Sequence, residues 1–320
     1  MPQTAQGIVS RDVITGVGIT SLIFAVSIYT PIFGFFCALF IPLPILFYRA
    51  KLGRKAGIAI PLATAIVMVL LLGRLAIDIL FFVELMVLGL TLSELIEKNL
   101  SIEAVILTTC GIVMATGLTA LLFYSGTKGT GLLALLTDYV ARNLELTLAL
   151  YKNMGVSEES IMVISNSLEH VRYVLVRIIP ALVGASGLFV AWANLLLARA
   201  LFRAKALVYP DFGVLNRWKA PEQLVWGVIA GGLLIFLPNR ALKIIGLNGM
   251  IIFMMIYFFQ GIAIVAFYFE KKRLPRMLRV FLYSLIMLQQ FIVLLVIGLG
   301  FFDMWLNFRK LKTPEKDETI

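Results

Sequence analysis

The sequence predicts an all-α polytopic membrane protein, and three observations carry that prediction. Apolar residues make up 61% of the 320 and charged residues only 14%, against about 45–50% and about 25% in soluble domains. The apolar residues fall in runs near the 20 or so needed to cross a bilayer. The net charge of +10 comes from Lys and Arg at the ends of those runs, where the positive-inside rule puts them, rather than from a basic face for nucleic acid.

The first run, Val13–Tyr48, contains no Asp, Glu, Lys or Arg. As one helix it would be about 54 Å long, so Thr30-Pro31 is expected to divide it into two spans. It is also far longer than the apolar core of a signal peptide. Pro42-Leu-Pro44 should kink the second span. Arg49, Lys51, Arg54 and Lys55 form a basic turn around Gly53, and the third span is Ala56–Gly73. The fourth, Leu75–Ser93, has Arg74 and Asp78 four apart on one helix face, an expected structural ion pair. It also places Glu84 at membrane depth, where a carboxylate costs from about 2.5 kcal/mol upward. The fifth span is about Ala104–Tyr124. Residues 13–124 thus form a first bundle of about five spans.

Ser125–Gly131 is glycine-rich, but its spacing does not match a phosphate-binding loop and no strand precedes it. Residues 125–172 then read as an amphipathic helical hairpin at the membrane surface. Leu132, Leu135, Leu136, Tyr139, Val140, Leu146, Leu150 and Met154 share one stripe. Gly155 ends the first helix and Ser157-Glu-Glu159 opens the second. The sixth span runs from near Tyr173 to about Leu201, with Pro180 bending it and Asn194 near its far end. A linker over 202–222 leads to Gln223–Asn239, a short segment with Gly227-Val-Ile-Ala-Gly231, a small-residue packing pattern. Ile244–Phe269 and Val280–Phe302 complete a second group of three or four spans within 173–309, and 310–320 is expected to be a disordered tail. The total is eight or nine spans in a single membrane domain covering 1–320. The Lys and Arg distribution favours an inside N-terminus only slightly and leaves the side of the C-terminus open.

The phrases Arg177-Ile-Ile-Pro180, Trp192-Ala-Asn194, Trp218-Lys-Ala-Pro221-Glu222, Asn248 ahead of Tyr257-Phe-Phe-Gln260-Gly261, and Gly298-Leu-Gly-Phe-Phe-Asp303-Met-Trp305 ending at Arg309 resemble, in this order, the YybS-like family of bacterial membrane proteins. The resemblance implies a multi-pass protein of the bacterial cytoplasmic membrane. The first half, with Pro42-Leu-Pro44 before a turn holding Gly53 and Gly57, is loosely similar to the substrate-binding S components of energy-coupling-factor transporters and to the rod-shape protein MreD.

Intramembrane ionisable and amide groups usually face a bundle interior or a cavity. Glu84, Arg177, Asn194, Asn248 and Gln260 are therefore the candidate substrate-binding residues, with Asn248 and Gln260 as the far wall. Interhelical hydrogen bonding is the competing use of each. Trp305 and Arg309 are expected to be interfacial anchors. Asp303 and Arg309, six apart and about 240° around a helix axis, cannot pair on one straight helix, so Asp303 is expected to cap or pair elsewhere. No pair of groups has the spacing of an acid–base catalyst, so an enzyme is not expected. One histidine, His170, and two cysteines, Cys37 and Cys110, offer no metal site or disulfide framework, and no cofactor is expected. The function expected is binding or transport of a small solute or lipid without an ATPase of its own. The alternative is a membrane scaffold that anchors a partner complex. Beyond the bilayer, a protein partner would meet the 125–172 helices or the 202–222 linker, and nucleic acid is not expected.

Overall fold

The computed structural model describes residues 2–30, 33–72, 77–207 and 209–310. The expected break at Pro31, the Arg74–Asp78 pair and the tail from Leu311 onward lie outside the described residues. The chain divides into two compact units. One comprises Met1–Val176 with Ser186–Asp211, the other Arg177–Ala185 with Phe212–Ile320.

The first unit begins with α1 (Pro2–Tyr29), α2 (Phe33–Ala38) and α3 (Pro42–Leu72). At Gly53, α3 leaves helical geometry with φ 77° and ψ 177°, a conformation open to glycine and strained for other residues. The two spans expected on either side of this glycine are therefore joined by a local break in one helical run. α1 lies along α3, with Gly16 against Tyr48 and Ile60. Next come α4 (Ile77–Ile96) and α5 (Ile102–Thr127). The Ser101 hydroxyl accepts the Ala104 N–H at the start of α5, and Glu103 sits in its first turn, where a negative charge meets the positive end of the helix dipole.

α6 (Leu132–Asn153) and α7 (Glu158–Ala204) follow. Gly155 has a φ of +78° and closes α6. Ser157 caps α7 by accepting the Ser160 N–H, with Glu158 and Glu159 in the first turn. The expected hairpin is present, but its second arm does not end near Tyr173. α7 is one helix of 47 residues, about 70 Å long, and contains both that arm and the sixth span. No glycine or proline interrupts 158–179, and Ser167, which could have capped a new helix, instead donates to the Val163 carbonyl of its own helix, so nothing there ends the helix. After α7, the Tyr209 hydroxyl donates to the Leu195 carbonyl at 2.9 Å. Burial pushes that hydroxyl above its usual range, with Arg199 and Arg203 pulling the other way.

The second unit contains α8 (Leu224–Phe236), α9 (Arg240–Lys271), α10 (Arg276–Leu288) and α11 (Gln290–Leu306). Asn239 caps α9 by accepting from the Ala241 and Leu242 N–H groups. α8 lies against α9 through its small residues: a Cβ on Gly227 would fall 2.3 Å from the Phe253 ring. α9 and α11 cross closer still. A Cβ on Gly261 would sit 2.0 Å from the Val296 carbonyl oxygen, and one on Gly300 2.0 Å from that of Tyr257. Tyr257 is buried with Val225, Val228 and Ala220 in a core that Phe253, Ile297 and Phe301 cover.

Among the described residues, six helices are long and apolar enough to cross a membrane, seven if α10 and α11 count as one bent span. The sequence segments numbered eight or nine. Three differences account for this. The second and third segments share the run Phe33–Leu72. α8 has 13 residues, about 20 Å against a hydrocarbon core of about 30 Å. The last segment is bent by 101° between α10 and α11.

Candidate functional site

Of the five candidate residues, Glu84 and Asn194 belong to the first unit and Arg177, Asn248 and Gln260 to the second. Each unit uses its amides in its own way.

In the first unit, Asn194 is buried and donates to the Leu39 carbonyl at 2.9 Å and to Val190 at 2.8 Å. Leu39 lies in the break between α2 and α3, where a carbonyl loses its helical partner. Asn194 supplies one.

Glu84 is different. It projects from α4 toward α5, where the Thr116 hydroxyl lies 2.8 Å from its Oε2. Thr116 is also within reach of the Ile112 and Val113 carbonyls of its own helix, at 3.0 and 3.1 Å. The pair therefore suits either protonation state. A carboxylate accepts the Thr116 proton, whereas a carboxylic acid donates to Thr116 while Thr116 turns to its own carbonyls. Gly117, one residue on, faces the carboxyl, and a Cβ there would meet it in ordinary van der Waals contact at 3.5 Å. Glu84 is half-buried and Thr116 exposed. Among the described residues no Lys or Arg forms an ion pair with Glu84, and none of their His, Cys, Asp and Glu side chains cluster to hold a metal ion. Glu84 lies about 18 Å along α4 from Ile96, and Thr116 about 21 Å along α5 from Ile102. The pair is well inside the helical hairpin.

In the second unit, Asn248 of α9 meets α7 at Pro180. Its side-chain N–H donates to the Arg177 carbonyl at 3.1 Å, and its oxygen accepts the Ala181 N–H at 3.2 Å. These are the acceptor and donor that close the helical turn around the proline, where a pyrrolidine ring disturbs the ladder. The carboxamide bridges the two groups from α9. We expect Asn248→Ala to lower stability by about 1–2 kcal/mol, the loss of two part-buried interhelical hydrogen bonds. Asn248→Gln should not restore it, because the longer side chain cannot hold both bonds. Reversible unfolding in mixed micelles measures both.

Gln260 lies twelve residues further along α9, about 18 Å away, so the two amides do not form one wall. Gln260 accepts the Ala220 N–H at 3.1 Å and donates to Asp303 Oδ2 at 3.2 Å. Asp303 is paired with Arg309 at 2.9 Å, both side chains 0% exposed. Arg309 also donates to the carbonyls of Asn216 and Trp218 at 2.9 and 3.0 Å. This corrects two expectations: Arg309 is no headgroup anchor, and it does pair with Asp303. The reason is local. α11 ends at Leu306, and Asn307 takes the left-handed conformation with φ 40°. The chain reverses there, and Tyr268 holds the turn by donating to the Phe308 carbonyl at 2.7 Å. Trp305 remains 56% exposed, with its ring against Phe301 and Phe302.

A second charged cluster went unread in the sequence. Arg49, 0% exposed, pairs with Glu94 and Glu97, and Arg54 pairs with Glu94 through Nε at 2.8 Å from Oε2. Gly57 makes room, since a Cβ there would fall 2.6–2.8 Å from the Cα, Cβ and Cγ of Arg49. The signal was present as Glu94 and Glu97 at helical spacing just after a span, opposite a turn of four basic residues. Reading those four only as interfacial charges hid it.

These two clusters pair their charges within the protein at helix ends, although Arg49 Nε, Asp303 Oδ1 and Arg309 Nε are buried without a hydrogen-bond partner. Glu84 keeps a half-buried carboxyl whose one hydrogen-bond partner among the described residues is the Thr116 hydroxyl. No curated protein and no solved structure matches the chain. The model of the predicted membrane protein family DUF2232 matches residues 18–304, in agreement with the YybS-like phrases. With helices of membrane-spanning length throughout the matched region, the chain belongs to the DUF2232 family of predicted membrane proteins.

Proposed function

We propose that the protein binds a small amphiphilic solute or a lipid from the membrane phase at Glu84, and holds or moves it without an ATPase of its own. The observation that carries this reading is the Glu84–Thr116 pair: a half-buried carboxyl at membrane depth with a hydroxyl as its one hydrogen-bond partner among the described residues. Such a group favours a ligand that brings a cation or a hydrogen-bond donor into a low-dielectric site. A primary-amine head group on an apolar tail satisfies both requirements. The family resemblance supports a bacterial cytoplasmic membrane as the location.

The test is native mass spectrometry of the protein in micelles, titrated with an amine-headed and an uncharged-headed lipid of equal tail length. Preferential retention of the amine lipid by the parent and loss of that preference in Glu84→Gln is the expected result. A preference unchanged in Glu84→Gln removes Glu84 from the site.

A second reading, a membrane scaffold, draws on the exposed apolar face of α6. A scaffold keeps its partner in Glu84→Gln, whereas the binding reading predicts loss at that residue.

A further inference from the structure

α9 and α11 end at the same place. α9 runs to Lys271 and α11 to Leu306. The Tyr268 hydroxyl, one turn before the end of α9, donates to the Phe308 carbonyl at 2.7 Å. Arg309 donates to the Asn216 carbonyl at 2.9 Å, and the Asn216 carboxamide donates to Glu270. Three segments far apart in sequence, 216–219, 268–276 and 307–310, are thereby tied together at one end of the second unit.

The rest of α11 lies deeper. Val296 and Gly300 meet α9 at Gly261 and Tyr257, 10 and 14 residues before Lys271, or about 15 and 21 Å along the helix. α11 therefore runs outward, from inside the apolar layer to the end of α9. α10, which connects the two, must run inward. Its 13 residues give about 20 Å, against a hydrocarbon core of about 30 Å, so it does not reach the far side before the 101° bend into α11. Met277, Phe281 and Leu288 are exposed on the face of α10 opposite the buried Ile286, a surface suited to an apolar surrounding.

We propose that α10 and α11 form a re-entrant hairpin that enters and leaves the membrane on one side, and that the segments gathered there bind the headgroups of anionic phospholipids. The first segment carries Arg217 and Lys219, the second Lys271, Lys272, Arg273 and Arg276, and the third Lys310, all exposed. Among the described residues none of these seven forms an ion pair. Glu270 is the one acidic residue in the three segments, and Asn216 is bonded to it. Arg309 is neutralised by Asp303. A basic cluster of this size beside a membrane-spanning helix attracts anionic headgroups. Headgroups without net charge gain little from it. A straight span over 276–306 would put Lys310 on the side opposite Lys271 and divide the cluster. The inference does not depend on Glu84: that residue favours a cationic head group, this surface an anionic one, and the failure of either leaves the other standing.

Sidedness is tested in the full chain with Cys37→Ser and Cys110→Ala, adding Arg240→Cys, Arg273→Cys or Lys310→Cys one at a time. A membrane-impermeant maleimide applied to sealed vesicles of one orientation, and then of the other, should label Arg273→Cys and Lys310→Cys from the same side. Arg240→Cys, at the other end of α9, should label from the opposite side. Labelling of Lys310→Cys from the side that labels Arg240→Cys overturns the hairpin. Lipid binding is read by native mass spectrometry with phosphatidylglycerol and phosphatidylcholine of equal tails. The parent should retain phosphatidylglycerol several-fold over phosphatidylcholine. That preference should fall several-fold in Lys271→Gln with Lys272→Gln and in Arg217→Gln with Lys219→Gln. It should persist in Lys128→Gln with Arg142→Gln, an equal loss of charge elsewhere. A parent without the preference, or three double variants that behave alike, overturns the headgroup surface.

Discussion

Arg309→Met should lower the stability of the second unit by about 3–5 kcal/mol, the range found when one member of a fully buried ion pair is removed. The size follows from what the substitution leaves behind. Asp303, 0% exposed, keeps one hydrogen bond from Gln260 as its remaining compensation. The carbonyls of Asn216 and Trp218 lose their donor, and with them the tie between the 212–222 linker and the end of α11. Asp303→Leu combined with Arg309→Met should recover a good part of the loss, since no unpaired charge remains. The linker carbonyls stay unpaired, so recovery is incomplete. Unfolding of the three proteins in mixed micelles decides it. A double variant as unstable as Arg309→Met would show that the linker bonds, rather than the charge, dominate.

Glu94→Gln should cost the first unit about 2–4 kcal/mol, somewhat below the loss of one partner of a fully buried ion pair because Glu94 is 30% exposed. Glu94 is the shared partner of Arg49 and Arg54. Its neutralisation leaves the buried Arg49 guanidinium with Glu97, which is 53% exposed and so largely screened by solvent. Glu97→Gln should cost no more than about 1 kcal/mol for the same reason. Equal effects of the two substitutions would contradict the asymmetry of the cluster.

Much of the architecture could be read before any coordinates. Apolar run lengths answer to bilayer thickness, so the run ends were well defined. The α6–α7 turn was legible because a glycine with positive φ and a serine cap have mechanisms that act locally. The continuity of α7 was not. Near Tyr173 the sequence passes from amphipathic to apolar, and that change of environment was taken as a change of element, although helix formation requires no boundary there. Arg309 shows the opposite limit. Helix arithmetic separated it correctly from Asp303, and the arithmetic ceased to apply once Asn307, a residue type that tolerates the left-handed region, turned the chain. At the candidate site, the desolvation cost singled out Glu84. The same reasoning could not tell it from Asn194, which satisfies a carbonyl at a helix break, or from Asn248, which bridges backbone groups beside a proline. Amide side chains near a proline or a short break have a backbone use available that a lone carboxylate lacks.

The unbroken course of α7 has a mechanical consequence. From Glu158 to Ile179 the helix has no joint, so a torque applied at the hairpin tip cannot dissipate before it reaches Pro180. Proline is where helices bend. There the stiffness is set by the Asn248 carboxamide, which occupies the hydrogen-bonding positions on both sides of the turn. Removing it in Asn248→Ala should therefore let α7 bend more readily at Pro180.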